Sequence, residues 1–117
     1  LFRLGLDARI RTLGLEHLDT AQTLNAVGVF TAQRGEFEEA RSLITRAIRI
    51  RSKLLGQAHI SVAEALHNLA GVQESLGDLG EAERCYERAL QIKRRVLPQN
   101  HVSIADTQNN LSIFYSK

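Results

Sequence analysis

The chain has 117 residues, 44% of them hydrophobic and 24% charged, which is the balance of an ordinary soluble domain or of one segment of a repeat array. Its net charge of +2 is too small to demand a nucleic-acid or membrane partner, and no apolar run approaches the roughly 18 residues that span a bilayer. The single cysteine, Cys85, excludes an internal disulfide, so we expect an intracellular, cytoplasmic protein. Because the sequence starts at Leu1 and contains no methionine, we expect it to be part of a longer protein.

One short motif recurs along the chain at a constant spacing of 42 residues. Its three copies are residues 13–21, 55–63 and 97–105, and each has leucine first, histidine fifth and alanine last. Equal spacing without a gap is the sequence signature of a repeat array. The only proline, Pro98, lies in a linker between repeats, and aromatic residues make up 5% of the chain. Both features favour an all-α protein.

A first helix is predicted in each repeat from its capping residues. An acceptor side chain is followed three residues later by one that can reach back, at Asp19 with Gln22, Ser61 with Glu64 and Ser103 with Asp106. We therefore expect these helices to begin near residues 19, 61 and 103. The first two should end before Gly35 and Gly77, because glycine readily adopts the left-handed conformation required after a helix.

A second helix is predicted after each of these glycines, with acidic residues in its first turn. Its apolar positions follow helical spacing, at Phe37, Ala40, Leu43, Ile44, Ala47 and Ile48 and again at Leu79, Ala82, Cys85, Tyr86, Ala89 and Leu90. Cations gather near its end, at Arg46, Arg49, Arg51 and Lys53 and again at Arg88, Lys93, Arg94 and Arg95. We interpret these cations as a solvated face that suits the helix dipole. Contact with a nucleic acid or an anionic surface is the less favoured alternative.

The repeats divide the chain into four parts. Residues 1–12 match the second half of an outer helix, residues 13–54 and 55–96 are complete repeats, and residues 97–117 are a linker and an inner helix. The predicted fold is a right-handed α-solenoid of antiparallel helix pairs. Small residues at 28, 70 and 112 predict the close approach of a neighbouring helix backbone. At the far end, Leu111, Phe114 and Tyr115 would lack an outer helix, so we expect them to be exposed or covered by self-association or another subunit.

The sequence resembles the tetratricopeptide repeat. The residues that carry this resemblance are Gly28, Gly35, Ala40, Ile44 and Ala47 in one repeat and Ala70, Gly77, Ala82, Tyr86 and Ala89 in the next. The 42-residue period is similar to that of the kinesin-light-chain and nephrocystin-type repeats. The resemblance implies a superhelix that binds other proteins. It also places Asn68 and Asn110 at the family position that grips a peptide backbone.

Catalytic and metal sites are not predicted. The recurrent histidines, His17, His59 and His101, stand one per repeat, and equivalent positions of a solenoid lie roughly 10 Å or more apart. They cannot share one ion, so contacts within the linkers are the favoured interpretation. No nucleophile–base constellation or glycine-rich phosphate loop is present either. We expect no cofactor and no enzyme activity.

A peptide-binding groove is predicted on the inner helices, on the face opposite their packing positions. Its candidate residues are Asn25, Val29, Glu64, His67, Asn68, Asp106, Asn109, Asn110 and Ile113. An amide side chain both donates and accepts hydrogen bonds, which suits the backbone of an extended peptide. The alternative is that these residues are merely solvated. Carboxylates at 64, 74 and 106 face the groove without a lysine or arginine clamp, so we expect an apolar or mildly basic ligand.

Two functions remain open on this sequence. The first is a non-catalytic module that binds a protein or peptide in its concave groove. The second is a structural scaffold or spacer in a larger assembly, such as a cytoskeletal, ciliary or motor-adaptor complex, with its contacts on the outer helices. The two differ in which helices touch the partner.

Overall fold

The computed structural model describes residues 17–116, which form five α-helices. Their bounds are α1 Leu18–Gln33, α2 Phe37–Leu55, α3 Ile60–Ser75, α4 Leu79–Val96 and α5 Val102–Tyr115. No strand occurs in this part of the chain. The outer helix predicted in residues 1–12 lies outside the described residues.

The helices pack in chain order into two layers. Helix α1 packs on α2 and α3 on α4, while α2 also packs on α3 and α4 on α5. The short loops between them force consecutive helices to run antiparallel. We call α1, α3 and α5 the inner layer and α2 and α4 the outer layer. The all-α solenoid predicted from the sequence is confirmed.

Glycines terminate the first two inner helices in the same way. Gly35 has a φ of 83° and Gly77 a φ of 82°, the left-handed conformation that favours glycine. The N–H of Glu36 donates to the carbonyl of Thr31 at 3.1 Å, and the turn at Gly77 repeats this bond at 2.9 Å. These are Schellman turns, which satisfy the last carbonyls of a helix. The predicted helix ends are therefore confirmed.

The inner helices begin differently from the prediction. Their N-caps are His17, His59 and His101, whose Nδ1 atoms each accept a hydrogen bond at 3.0 Å from the backbone N–H two residues later. Aspartate and serine, predicted as caps, lie inside the helices at their second position. The predicted caps were wrong because serine and aspartate oxygens were preferred to an imidazole nitrogen, which accepts from the backbone N–H of the serine or aspartate itself. The helices begin one residue before the predicted positions. The periodic histidines are structural.

Alanines and branched residues fill the core between the layers. The central cluster joins the three helices α2, α3 and α4 through Ala40, Ile44, Ala65, Leu69, Ala70, Val72, Cys85 and Tyr86. At Gly28, an added Cβ would lie 2.6 Å from Cγ1 of Ile44. The close approach predicted there is thus made by a side chain of α2, not by its backbone.

Two outer-layer residues differ from the prediction. Leu79, predicted to be packed, is 54% exposed at the first position of α4. Lys93, predicted to be solvated, is only 4% exposed. Lys93 follows Ala89 and Leu90 by four and three residues, so it shares their buried face. Its cationic end must therefore find partners within the protein.

The last inner helix is partly covered. Leu111 and Phe114 are half-buried against the central cluster, and the Phe114 ring lies 5.9 Å from that of Tyr86. Tyr115 is 56% exposed, although its hydroxyl donates to Oε1 of Glu87 at 2.8 Å. The exposure expected at this end is thus found at Tyr115 and, in part, at its neighbours.

Candidate peptide-binding groove

The groove is the face of the inner layer that no other helix of residues 17–116 covers. Helix α3 packs against α1, α2 and α4, and a hydrogen bond joins it to α5. What remains open on α3 is a line of residues at helical spacing, Glu64, Asn68, Gly71 and Ser75. Glu64 and Ser75 are exposed, and the other two are half-buried. The equivalent faces of α1 and α5 extend this line on either side.

The structure places the nine predicted groove residues at two depths. Glu64, Asp106, Asn109 and Ile113 are exposed, while Asn25, Val29, His67, Asn68 and Asn110 are half-buried. The half-buried polar residues form the floor of the groove, and the exposed ones line it. None of the nine is fully buried, so all nine retain surface that a ligand can reach.

Amide side chains link neighbouring inner helices across the floor. Nδ2 of Asn68 donates to Oδ1 of Asn25 over 3.5 Å, and Nδ2 of Asn110 donates to Nε2 of His67 over 2.9 Å. Both bonds join residues 43 apart in sequence. The sequence predicted free amides, whereas here one group of each amide already serves the packing of the array. An amide has further donors and acceptors, so capacity for a ligand remains.

A buried polar network lies below these amides where α3, α4 and α5 meet. Nζ of Lys93 donates to Oγ1 of Thr107 at 2.7 Å, and Nδ1 of His67 lies 3.3 Å from the same oxygen. The Thr107 hydroxyl in turn donates to the carbonyl of Ser103 at 3.2 Å. The His67 ring also meets Tyr86 edge to face, with centroids 5.7 Å apart.

The network fixes the protonation of His67. Since Asn110 donates to Nε2, that nitrogen must be unprotonated, and the ring proton sits on Nδ1, facing Thr107. Burial lowers the pKa of His67, the charge of Lys93 lowers it further, and Asp106 opposes both effects. His67 is therefore neutral at neutral pH and adds no positive charge to the groove.

Cations of the outer layer hold the first turns of the inner helices. Nη1 of Arg51 donates to the carbonyl of Ser61 at 2.9 Å, and Lys93, 42 residues after Arg51, lies 3.5 Å from the carbonyl of Ser103. Burial lowers the pKa of Lys93, and the carboxylates of Glu64 and Asp106 oppose this. Sequence reasoning missed both contacts, although the recurrence of a cation at this position was a usable signal.

One predicted groove carboxylate faces elsewhere. Glu74 accepts a hydrogen bond from the hydroxyl of Tyr86 at 3.2 Å, so it points toward α4. Burial together with this carboxylate raises the pKa of Tyr86 to about 12. The groove carboxylates are therefore Glu64 and Asp106.

A depression of about 340 Å³ lies beside α1, lined by Asp19, Gln22, Thr23, Ala26 and Val27. In α3, the positions equivalent to Thr23 and Val27 are Ala65 and Leu69, which pack in the central cluster with residues of α2. The depression on α1 is thus equivalent to the surface of α3 on which the outer helix α2 packs. We do not count it as a ligand site.

Cys85 is a protonated, buried thiol. Its Sγ donates to Oε1 of Gln73 at 3.1 Å, and burial, with Glu81 and Asp78 nearby, raises its pKa to about 11. A thiol with so high a pKa is a poor nucleophile and metal ligand. Within residues 17–116 no group of three or more histidine, cysteine, aspartate or glutamate side chains is arranged to hold a metal ion. None of the described helices is long and apolar enough to cross a membrane.

Stacked antiparallel helix pairs with an open face on the inner layer define an α-solenoid repeat protein. A family model described as Tetratricopeptide repeat matches residues 19–95 and residues 61–117. The chain belongs to the tetratricopeptide-repeat family. Members of this family are typically non-catalytic and generally mediate protein–protein interaction.

Solved structures share the fold over almost the whole chain. BtubC (BKLC) from P. vanneervenii has a TM-score of 0.89 and 24% identity, over 98% of this chain and 46% of that one. A kinesin light chain with nearly identical TPR-like repeats from Podosopora anserina has a TM-score of 0.88 and 24% identity, over 97% and 54%. The predicted similarity to kinesin-light-chain repeats is confirmed. The chain spans about half the length of these structures. No match was found among curated protein sequences.

Proposed function

We propose that the protein is a non-catalytic binding module that holds an extended segment of a partner protein in the groove formed by α1, α3 and α5. The observation that carries this proposal is the open line of amide and small residues on α3, continued on both neighbouring inner helices. An array of packed, hydrogen-bonded helices offers a partner a rigid surface, so little conformational entropy is lost on binding. The general interaction role of the family supports the same proposal.

The amides of the floor supply the recognition. Asn68 and Asn110 each spend one donor on a neighbouring helix, which fixes the orientation of the side chain. Their remaining groups, with the exposed amide of Asn109, can pair with the N–H and carbonyl groups of an extended backbone. Val29 and Ile113, at the two ends of the groove, can cover apolar side chains of the same segment.

The test is peptide selection against the protein, followed by substitution of the floor. Peptides enriched from a random display library should lose at least tenfold in affinity for the double variant Asn68→Ala, Asn110→Ala, because two backbone-pairing amides are removed. The matched control is Gln91→Ala on the exposed face of α4. Circular dichroism of each variant separates loss of binding from loss of fold. Equal affinity for the double variant and the parent would refute the groove.

A scaffold role remains the second candidate, and the outer layer favours it by one observation. Leu54, Leu79 and Val96 are large apolar side chains exposed there, and Val96 directly follows the exposed cations Arg94 and Arg95. If partners dock on this layer, the variant Arg94→Glu, Arg95→Glu should release them while the floor variant does not. The reverse pattern would exclude the scaffold surface.

The wider context is also proposed. The two helix pairs α1–α2 and α3–α4 are two full repeats, with an outer helix of a preceding repeat in residues 1–12 and an inner helix of a following repeat at α5. We place the protein in the cytoplasm, supported by its single, unpaired cysteine. Imaging of a tagged full-length chain tests the location directly.

A further inference from the structure

Charge divides between the two layers of the array. The inner helices α1, α3 and α5 contain Asp19, Glu64, Glu74 and Asp106, and within these ranges they contain no lysine or arginine. The outer helices α2 and α4 carry ten lysines and arginines against five carboxylates. A chain of net charge +2 therefore presents a negative inner layer and a positive outer layer.

Two of the inner carboxylates are available to a ligand. Glu74 is bonded to Tyr86, and Asp19 lies 3.8 Å from the His17 ring at the N-terminus of α1. Glu64 and Asp106, in contrast, are exposed, and neither forms an ion pair within 4 Å with another residue of the described chain. They occupy equivalent positions on consecutive inner helices, 42 residues apart.

Lys93 and Arg51 hold the first turns of α5 and α3. Nζ of Lys93 is committed to Thr107 and the carbonyl of Ser103, and Arg51 donates to the carbonyl of Ser61. The charge of Lys93 acts on both carboxylates, yet within residues 17–116 neither cation forms an ion pair with Glu64 or Asp106, so both exposed carboxylates remain available to a cationic ligand.

We propose that the groove selects an extended segment bearing two lysines or arginines three residues apart, one opposite Glu64 and one opposite Asp106. This inference rests on the proposed function. Helices α3 and α5 are joined directly by the 2.9 Å hydrogen bond between Asn110 and His67, and neighbouring helices in proteins lie roughly 8–10 Å apart. A polyproline-II segment rises about 3.1 Å per residue with three residues per turn, so side chains three apart share one face about 9 Å from each other. The two spacings match.

The amide floor and the carboxylates act on different parts of the segment. Asn68 and Asn110 lie at helical spacing from Glu64 and Asp106, one turn further along the same helices. They are placed to pair with the backbone while the carboxylates pair with side chains. An acidic segment meets the two exposed carboxylates in the same place, which disfavours its binding.

The experiment measures the anisotropy of fluorescent twelve-residue peptides binding to the full-length chain. One peptide has two lysines three residues apart in a glutamine, serine and valine background. Its relatives have the lysines adjacent, or replaced by glutamine or by glutamate. We expect the spaced-lysine peptide to bind about tenfold more tightly than the glutamine peptide, and the advantage to shrink when the salt concentration rises from 0.05 to about 0.3 M.

Matched variants assign the effect. Glu64→Gln with Asp106→Asn should remove the advantage of the spaced lysines. Glu38→Gln with Glu81→Gln changes the net charge equally in the outer layer, where both glutamates pair with exposed arginines, and should keep it. An advantage that survives the groove double variant, or that the adjacent lysines share in full, overturns the inference.

The remaining outcomes separate the two proposals. If glutamine and glutamate peptides bind as well as the lysine peptide, and the Asn68→Ala, Asn110→Ala variant loses them all, the charge inference fails and the groove stands. If no peptide shows binding that depends on groove residues, both fail.

Discussion

The two interfaces between successive repeats, which we call joints, have the same helix arrangement but are formed by different side chains. In the first joint, where α3 packs on the α1–α2 pair, Arg51 donates to Ser61 and position 65 is a buried alanine. In the second joint, where α5 packs on the α3–α4 pair, position 107 is a fully buried threonine that binds Lys93 and His67. The same helix arrangement is thus stabilised at this position by apolar contact in the first joint and by a polar network in the second.

The comparison shows what the period determines and what it leaves free. The histidine N-caps, the buried alanines and the glycines of the turns recur in each repeat because they determine where the helices begin and end and how closely they pack. Positions 25, 51 and 65 of the first joint differ from their equivalents 67, 93 and 107 in the second, whereas positions 68 and 110 are both asparagine. The first joint depends on apolar packing and on a long hydrogen bond of 3.5 Å between the side-chain amides of Asn68 and Asn25. We therefore expect its stability to change little when nearby charges change. The second contains a buried cation whose partners must all be present.

We expect the largest loss of stability from a substitution at the centre of the second joint. The substitution Thr107→Ala copies position 65 of the first joint and leaves the buried Lys93 ammonium without its 2.7 Å acceptor. An unpaired buried charge is costly, and we expect a loss of about 3 kcal/mol in the free energy of unfolding, measured by urea titration.

Thr23 provides the matched control for this substitution. It occupies the equivalent position in α1, and among the described residues 17–116 its hydroxyl donates to the carbonyl of Asp19 in its own helix. Thr23→Ala should change stability by less than about 0.5 kcal/mol. Adding Lys93→Met to Thr107→Ala should recover most of the loss, since the charge is then removed with its partner. Equal losses at 23 and 107 would show that the network contributes nothing.

The second prediction compares two glycines of the inner layer. Gly28 packs so closely on Ile44 that Gly28→Ala forces the branched side chain to move, and we expect a loss of about 2 kcal/mol. At Gly71, on the open face of α3, a Cβ meets nothing within 4 Å, and Gly71→Ala should gain about 0.5 to 1 kcal/mol from helix propensity. Thermal melts of the two variants should therefore shift in opposite directions. A shift in the same direction would contradict the packing at Ile44.

The third prediction concerns the histidine caps, which both joints share. His59→Ala removes the acceptor for the N–H of Ser61 and should cost about 1 kcal/mol. His59→Asn should cost much less, because an amide oxygen reaches the same N–H. Urea titration of both variants decides the point. If asparagine is no better than alanine, the ring contributes by packing and not as a cap.

Much of the fold could be predicted because its determinants are local and periodic. Gly35 and Gly77 specify their turns through a backbone conformation that other residues avoid, and this signal is readable without a structure. The starts of the inner helices were predicted to within one residue, but their cap residues were mispredicted because serine and aspartate are favoured caps and stand two residues after the histidine that accepts their N–H. The recurrence of that histidine at one offset was the better signal.

The candidate groove could be located but its internal bonds could not. Helical spacing placed Asn25, Asn68 and Asn110 on the inner helices away from their packing positions, and the structure leaves all three half-buried. The bonds of Asn68 to Asn25 and of Asn110 to His67 connect residues 43 apart, one more than the period. A one-dimensional pattern does not show which side chains of neighbouring helices face each other. The burial of Lys93 depends in the same way on a neighbouring helix supplying Thr107.

The smallest effect we predict is a pH dependence confined to the second joint. His67 has a lowered pKa in the folded protein, whereas in the unfolded chain it takes up a proton near its ordinary value of about 6.5. The unfolded state therefore binds more protons between these two pKa values, so this part of the stability is present above about pH 6.5 and is lost as the pH falls through that window. The groups that face the ring are Lys93 and Tyr86 on α4 and Asp106, Thr107 and Asn110 on α5.

The substitution His67→Asn tests this dependence by installing the residue of the first joint, where position 25 is asparagine. Urea titrations of parent and variant at pH 7.5 and 5.5 should show a smaller acid loss in the variant, and the three capping histidines contribute equally to both. Asn110→Asp provides the opposite change, because a carboxylate beside Nε2 favours the charged ring and should raise the pKa of His67, visible in its ring proton resonances. An unchanged acid loss in His67→Asn would mean that the network tolerates the imidazolium, and that the two joints respond to pH in the same way.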